Sequence, residues 1–423
     1  MPLPFAKAFI FMSQADLIPN LFRTEYRKIV SVLSKLFGIE HIEIAEDIVS
    51  DTFLSASELW GLKGLPENPT AWLYIVAKNK TKDYLKHNSL FIKNVSKEIR
   101  YNVAESEEME IDLSIKNIND SQLAMIFVVC HPCNSTEAQI CLALSLLCGF
   151  GMDEIANGFL TNKEVIYKRL QRAKEKLRIQ KIKIEQPAAS EINERLPAVL
   201  MTLYLLFNEG YYSSNQDTTL RRDFCLEAIR LTYLLVENEQ TNKPSTNALL
   251  SLMCFHSSRF EARLNRNGEI ILYQDQDTGL WNQELISKGE YFLNQASQGP
   301  ELSKYHLEAG IAYWHTCKTD TKEKWESILQ LYNQLLIIEY SPIAALNRTY
   351  ALAKVNGKEE AIIEAEKIGL TGNYLYHSLL GELYSGVNNI QAISHLQKAL
   401  LLAKSPADQT LTSNKILEYQ QKQ

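Results

Sequence analysis

The sequence predicts an all-α protein, and three observations carry that prediction. Apolar residues recur at helical spacing in nearly every segment, as at Val49, Phe53, Ala56 and Trp60. The alternation typical of a strand occurs only at 269–273, after an Asn-Gly pair. The last third of the chain carries a weak repeat of 34 residues, which is typical of stacked helical pairs.

Composition limits the classes of function. The chain has 423 residues, enough for several domains, with 46% hydrophobic and 22% charged residues, as in ordinary soluble proteins. The net charge of −6 excludes a chain that binds polyanions over its whole surface. Any contact with nucleic acid must therefore come from local basic surfaces.

Cysteine usage and hydropathy predict a cellular location. The seven cysteines show no framework spacing, which favours free thiols in a reducing compartment. The apolar run Phe9 to Met12 is too short for a secretory signal, and no apolar stretch reaches the roughly 18 residues of a membrane helix. We expect a cytoplasmic protein that has no membrane partner.

The first helical unit is predicted at 12–92. Val49, Phe53, Ala56 and Trp60 form its core stripe. A second stripe on the same helix is acidic and carries one exposed leucine: Asp47, Asp51, Leu54 and Glu58. From the residues alone, a solvated face is the simplest interpretation of this second stripe. A loop rich in turn residues is predicted at Gly61 to Pro69.

A second helix of this unit is predicted from Thr70 to about His87. One of its faces combines three cations and an amide: Lys78, Asn79, Lys82 and Lys86. Aromatic residues lie nearby in sequence (Trp72, Tyr74 and Tyr84). Basic residues interleaved with aromatic rings suit a single strand with unstacked bases. An ordinary amphipathic helix with buried aromatic rings gives the same pattern, and both interpretations stay open.

An acidic linker is predicted at 93–120, followed by a unit at 121–184 that contains a helix-turn-helix. The linker lacks hydrophobic periodicity and is rich in glutamate. Within Gly149 to Leu177, Met152, Ile155 and Ala156 form a short apolar face that Gly158 ends. Thr161 or Asn162 then caps the next helix.

The second helix of this motif has an apolar back and a basic front. Its apolar stripe includes Ile166, Leu170 and Leu177, and six cations lie mostly off that stripe: Lys163, Lys168, Arg169, Arg172, Lys174 and Lys176. Such a helix fits a major groove, with base edges near its first turns. A solvated basic helix packed on a neighbour is the alternative.

The C-terminal half is predicted to be helical throughout. Pro187 to Ser190 marks a boundary, beyond which we expect a helical middle domain at 185–290 and tetratricopeptide-like repeats at 291–423. Stacked helical pairs form a concave surface suited to a peptide or protein ligand. An array that only buries its own faces is the other interpretation.

Two groups of residues resemble functional sites. Cys130-His131-Pro132-Cys133 has metal-ligand residue types, but no second pair completes a tetrahedral site, so we interpret these thiols as structural. The polar residues of 208–211, 256–259 and 275–277 suggest either a ligand or catalytic pocket or buried polar pairing. No glycine-rich phosphate loop and no nucleophile–base arrangement is present, so we predict neither an enzyme nor a cofactor nor a metal.

The order and spacing of these blocks carry a resemblance. The acidic helix AEDIVSDTFLSASELW, the segment NPTAWLYIVAKNKTKDYLK, an acidic linker and a helix-turn-helix ending in YKRLQRAKEKL resemble the bacterial extracytoplasmic-function (ECF) sigma factors of RNA polymerase. The motifs FNEGY, RRDFCLEAIRL, HSSR and DQD are similar to the subgroup with a long tetratricopeptide-like C-terminal extension. The resemblance covers nearly the whole chain, from about residue 16 to the 390s.

The resemblance implies a role for each matched surface. The helix with Asp47, Asp51, Phe53 and Leu54 matches the segment that docks on the β′ clamp helices of core polymerase, and the β flap is a second expected contact. Lys78, Asn79, Lys82 and Lys86, together with the loop before them, match the reader of the −10 element. The −35 reader is matched by Lys163, Tyr167, Lys168, Arg169 and Arg172.

The function implied is promoter recognition by a sigma factor, with sigma region 2 at 12–92 and sigma region 4 at 121–184. Core polymerase supplies the chemistry, and two separated readers supply specificity for promoter DNA. The extension is then expected to regulate in cis. The alternative is a free-standing helix-turn-helix regulator with a repeat-type sensing domain, for which Asp47 and Asp51 would be dispensable.

Overall fold

The computed structural model describes residues 14–87, 111–211, 218–263, 271, 273–403 and 406–421, and every regular element in those ranges is helical. The chain divides into two compact units, Met1–Thr241 and Asn242–Gln423. The predicted all-α class is confirmed. The one predicted strand, at 269–273, lies almost entirely outside the described residues, and Tyr273 belongs to a short 3-10 turn.

The first unit contains nine described α-helices. They are α1 (Gln14–Phe37), α2 (Ile42–Lys63), α3 (Pro69–His87), α4 (Ile115–Val129), α5 (Thr136–Leu142), α6 (Met152–Gly158), α7 (Lys163–Ile179), α8 (Ala189–Tyr211) and α9 (Thr218–Glu237). A π-helical segment, Ala143–Leu147, continues α5.

Helices α1 to α3 form a first module around one apolar core. The predicted stripe Val49, Phe53, Ala56 and Trp60 is buried in it, which confirms that part of the sequence analysis. The aromatic residues of α3 also pack against this core: Trp72 against Trp60 at 5.3 Å between ring centroids and Tyr84 against Phe37 at 5.8 Å. These α3 rings therefore have a packing role, and each remains partly exposed.

Helices α4 to α7 form a second module. Helix α7 begins at the predicted cap, because the Asn162 side chain accepts a hydrogen bond from Val165 N at 3.0 Å. Helix α6 begins where the Glu154 carboxylate accepts from Gly151 N at 2.8 Å. The apolar side of α7, with Ile166, Leu170, Ala173 and Leu177, is buried.

Helices α8 and α9 pack on the second module, so Pro187 to Ser190 does not divide the structure as predicted. Arg195 of α8 donates to the Phe127 carbonyl of α4, and the Thr202 hydroxyl donates to Gln139 of α5 at 2.7 Å. The division between the two units instead follows Thr241. The first part of the predicted middle domain thus belongs with the N-terminal modules.

The remaining ten described α-helices form the second unit. They are α10 (Pro244–Ser257), α11 (Phe260–Arg263), α12 (Gln283–Ala296), α13 (Lys304–Trp314), α14 (Lys322–Ile338), α15 (Pro342–Asn356), α16 (Lys358–Ile368), α17 (Tyr374–Tyr384), α18 (Asn389–Leu402) and α19 (Pro406–Gln421). From α14 onward, consecutive helices pack against each other. At Gly381 a Cβ would lie 2.6 Å from Leu396 Cγ, so α17 and α18 need glycine to approach closely.

Two predicted boundaries move. Helix α2 continues through Lys63 and α3 starts at Pro69, so the connecting loop is shorter than Gly61 to Pro69. The predicted linker reaches residue 120, but α4 already begins at Ile115, where Ser114 caps it. Most of the linker's acidic residues lie outside the described residues. None of the described helices is both long and apolar enough to cross a membrane.

Candidate polymerase and nucleic-acid interface

The acidic face of α2, defined by Asp47, Asp51 and Leu54, is exposed to solvent. Both carboxylates are exposed, and Leu54 is 58% exposed between them and the end of the helix. An exposed leucine among acids suits contact with a basic, partly apolar partner. Phe53 does not belong to this face: it is 5% exposed and packs edge-on against Phe22 at 5.1 Å. The assignment of Phe53 to a partner contact is corrected to a core role.

The polar face of α3 contains the four predicted residues. Asn79 and Lys86 are exposed, and Lys78 and Lys82 are partly exposed. This face also contains a residue that the sequence did not predict. Ile75 lies one helical turn before Asn79 and is 58% exposed. An apolar side chain among cations suits a nucleic acid with unstacked bases. The spacing of Ile75, Lys78, Asn79 and Lys82 along the helix would have placed Ile75 on this face.

The basic face of α7 is defined by Lys168 and Arg172, both exposed. Tyr167 is exposed as well, on a neighbouring side of the helix, and Lys163 pairs with Asp153 of α6 at 2.8 Å. Arg169 is more enclosed, since its guanidinium lies 6.0 Å from the Phe159 ring and contacts the Cys141 sulfur at 3.7 Å. Of the five predicted residues, Arg169 has the strongest packing role.

The C-terminal end of α7 is held on α2 by ion pairs. Lys174 Nζ lies 2.7 Å from Glu46 Oε2, and Arg178 pairs with Glu43. Glu43 stands one helical turn before Asp47 and so extends the acidic face of α2, whereas Glu46 lies on the neighbouring side of the helix. Neither residue was predicted to belong to a site, although the spacing of Glu43 to Asp47 continues the stripe. The first and second modules are therefore in contact in this structure, where the sequence predicted separated modules.

A buried charge cluster ties three parts of the first unit together. Glu227 of α9 pairs with Arg27 of α1 and accepts from Arg230 Nε at 2.9 Å. Arg230 also donates to the Leu147 carbonyl of the π-helical segment at 2.8 Å. Burial by itself would raise the pKa of Glu227, but Arg230 and Arg27 reverse that effect and lower it. The cluster fixes α9 against both modules.

The Cys-His-Pro-Cys stretch at 130–133 has a structural role, with a buried thiol followed by a turn. Burial raises the pKa of the Cys130 thiol to about 12. The Gln139 amide donates to the His131 and Asn134 carbonyls, both at 3.0 Å, and so closes the turn. In the described part of the chain, no three His, Cys, Asp or Glu side chains are grouped to hold a metal.

Two known families match parts of the chain. Residues 21–90 match the family Sigma-70 region 2, and residues 195–297 match a family of unknown function (DUF6596). The chain is 31% identical over 373 residues to "Uncharacterized protein R00370" of Rhizobium meliloti (strain 1021), covering 87% of this chain and 88% of that protein. No solved structure matches the chain significantly.

The Sigma-70 region 2 match defines a class of domain at 21–90: it supports a sigma factor role in transcription initiation, and such a domain implies binding to core RNA polymerase and promoter DNA. The chain belongs to the same family as the Rhizobium protein. Sigma-70 proteins are transcription factors rather than enzymes. The matched region spans α1 to α3 and therefore contains both the acidic face of α2 and the polar face of α3.

Proposed function

We propose that this chain is a sigma factor of the ECF type whose C-terminal extension regulates it in cis. In this proposal, Asp47, Asp51 and Leu54 dock on the polymerase clamp, and the polar face of α3 reads the −10 element. The exposed Lys168 and Arg172 of α7, with Lys163 and Tyr167, contact the −35 element as the second helix of a helix-turn-helix. The four-residue turn between α6 and α7 supports this assignment.

The single observation that carries the proposal is the pair of ion pairs between α7 and α2. The −10 and −35 elements lie about 25 base pairs apart, which is roughly 85 Å of B-form duplex. Helices in direct contact do not span that distance. The promoter-bound state therefore requires the contact between α2 and α7 to break, and the conformation described here is a closed state.

Regulation in cis follows from what stabilises the closed state. Helix α9 belongs to the segment 195–297, outside both modules, and its Glu227 and Arg230 bridge α1 and the π-helical segment. Part of the extension therefore holds the modules together. A signal that loosens α9 would shift the population toward the open state. The binding energy of core polymerase acts in the same direction, because it favours the open form.

In vitro transcription with core polymerase, on the DNA upstream of the chain's own gene, tests the proposal. We expect a discrete start site that depends on the chain. The double substitution Asp47→Asn and Asp51→Asn should reduce transcript at least tenfold, because it removes both charges from the docking face. Core polymerase capture by the tagged chain should fall in parallel.

The matched control is Glu359→Gln, which neutralises an exposed carboxylate on α16, and it should leave transcription unchanged. A double variant as active as the native chain contradicts the docking assignment. Sequence-specific binding of the purified chain to promoter duplex without polymerase, unaffected by Asp47→Asn and Asp51→Asn, would instead favour the free-standing regulator.

A further inference from the structure

A cavity in the second unit combines buried positive charge with aromatic walls. It has a volume of about 190 Å³ and lies where the turns at 273–281 meet the start of α14 and the side of α15. Four aromatic rings line it: Tyr273, Trp281, Trp325 and Tyr350. Three lysines, one carboxylate and two uncharged polar residues complete the lining: Lys318, Lys324, Lys354, Asp320, Gln276 and Thr278.

Lys324 is the most unusual of these residues. It is 2% exposed, yet no carboxylate among the described residues pairs with it. Its Nζ donates to the Tyr273 hydroxyl and to the Cys317 carbonyl, both at 2.9 Å. An ammonium has three N–H donors, so one remains for another acceptor. A buried cation without a counter-ion is costly, and an anion bound in the cavity removes that cost.

The one carboxylate of the lining is already engaged. Asp320 accepts a hydrogen bond from the Trp325 indole and lies 3.6 Å from Lys354. Asp320 therefore compensates Lys354 and leaves Lys324 uncompensated. A further cation lies close to the lining, since the Arg259 guanidinium is 5.1 Å from the centre of the Tyr273 ring. The cavity is electropositive as a result.

Polar atoms around the cavity also lack partners. Trp281 Nε1 and Gln276 Oε1, both in the lining, are buried without a hydrogen bond within the described residues, and so are Arg259 Nε and His315 Nδ1 beside them. A buried polar atom of this kind destabilises the fold when it has no hydrogen-bond partner. Burial lowers the pKa of His315 to about 3, with Arg259 and Lys324 adding to the effect, so this imidazole is neutral. Unsatisfied polar atoms on an electropositive wall are typical of a ligand site.

Size and shape restrict the ligand. A dry cavity of about 150 Å³ holds one benzene molecule, so about 190 Å³ fits one ring with a carboxylate. The Tyr273 and Trp281 rings are nearly parallel, with an interplanar angle of 25°, and Trp325 meets Tyr350 edge-on at 5.5 Å. Walls of this kind favour a flat group over a tetrahedral one.

We propose that this cavity binds a small planar organic carboxylate, with the Lys324 ammonium as its counter-ion and the aromatic rings enclosing its apolar part. The site includes Gln276 of the DQD motif, whose two interpretations the sequence left open. The inference does not depend on promoter recognition, and its test contains neither polymerase nor DNA.

Isothermal titration of the full chain with benzoate tests the inference, and benzamide serves as the neutral analogue of the same shape. We expect benzoate to bind once per chain with a dissociation constant of about 1 mM or lower. Benzamide should bind at least tenfold more weakly, because it lacks the charge that Lys324 compensates. Inorganic phosphate, which has charge but no ring, should also bind at least tenfold more weakly than benzoate.

The variant Lys324→Met keeps the unbranched shape and most of the length of the side chain but removes its charge, and it should weaken benzoate binding at least tenfold. The control Lys322→Met makes the same change two residues earlier, at an exposed position that pairs with Glu326, and should leave binding unchanged. Lys354→Met, at a side chain that is 38% exposed, is a second test that does not disturb a buried position, and should weaken binding at least threefold.

Four results would overturn the inference. They are no binding of benzoate, equal binding of benzamide, equal binding of phosphate, and unchanged affinity in both Lys324→Met and Lys354→Met. Thermal melting of each variant establishes that it is folded. Should Lys324→Met fail to fold, Lys354→Met alone decides.

Discussion

At the scale of single residues, Gly158 shows how a missing side chain positions a module. The sequence predicted that this glycine ends the apolar face of α6, and α6 does end there. Its larger role is steric, because a Cβ at this position would lie 2.6 Å from the Phe224 ring of α9. Phe224 in turn packs edge-on against Phe150 at 4.9 Å, so the ring has little freedom to move. Gly158 is therefore a contact point between the second module and the extension.

Alanine at Gly158 should destabilise the first unit by about 1–3 kcal/mol, since the added methyl group overpacks the junction. The measurement is urea unfolding monitored by circular dichroism. Gly61→Ala is the matched control, because Gly61 is also helical but has open space around its Cβ position. That variant should be as stable as the native chain or more stable by up to about 1 kcal/mol. Equal effects of the two substitutions would contradict the steric role.

Glu227 gives a second residue-scale prediction, in which pH matters. Its pKa is lower in the folded chain than the ordinary 4.5, so its contribution to stability is complete above about pH 4.5 and is lost as pH falls through the folded value. Glu227→Gln leaves the buried Arg27 and the partly buried Arg230 without a carboxylate and should cost about 3 kcal/mol at pH 7.

The measurement is the free energy of unfolding as a function of pH. The native chain should lose more stability below pH 4.5 than Glu227→Gln does, because the variant has already lost this carboxylate. Glu239→Gln, at an exposed position two residues after α9, should match the native chain at every pH. Parallel curves for the native chain and Glu227→Gln would refute the role of the cluster.

At the scale of elements, α2 and α7 each present two surfaces. The acidic face of α2 continues from Asp47 and Asp51 back to Glu43, and Glu43 holds α7 together with Glu46 on the neighbouring side of the helix. Along α7, Lys174 and Arg178 face α2, whereas Lys168 and Arg172 remain exposed. The closed state thus leaves the proposed docking residues Asp47, Asp51 and Leu54 exposed, along with Lys168 and Arg172 of the proposed DNA surface.

Reversing two charges on α7 should open this contact. Lys174→Glu with Arg178→Glu replaces two attractions by repulsions, and partly exposed pairs of this kind contribute roughly 1–2 kcal/mol together, about a 5- to 30-fold shift in the ratio of open to closed chains. We expect more transcript at limiting core polymerase. Adding Glu43→Lys and Glu46→Lys should restore the native level.

Lys181→Glu with Lys183→Glu is the control for net charge, because both lysines are exposed just beyond α7. This control should leave transcript unchanged. The variant with all four substitutions should return transcript to the native level. If it does not, Lys174 and Arg178 do not act through Glu43 and Glu46.

At the scale of the whole molecule, local patterns in the sequence predicted the helices well and their partners poorly. The helical class is confirmed, and the spacing of Val49, Phe53 and Ala56 marked the core of the first module correctly. The same spacing predicts that Phe53 is buried, which conflicts with the docking role that the resemblance assigned to it. Phe53 is buried in the structure. A side chain in a buried stripe is not available to a partner.

What the sequence did not predict depends on contacts between distant residues. The ion pairs of Glu227 with Arg27 and of Lys174 with Glu46 are examples. In the sequence, each of these charged residues has the pattern of a solvated helix face. The buried Lys324 reads as one more cation in a run that includes Lys318 and Lys322. No local period identifies such pairs, because each depends on the packing of two separate helices.

The proposed −10 reader in the first module and the proposed −35 reader, α7, are held together in the free chain, and they must separate on polymerase. Energy transfer between fluorophores at two exposed positions, Lys63 at the end of α2 and Gln171 on α7, measures this directly. The free chain should show efficient transfer. Addition of core polymerase and promoter DNA should abolish it, as the readers move to a separation of roughly 85 Å. Transfer that stays efficient in a complex competent for transcription would contradict the account.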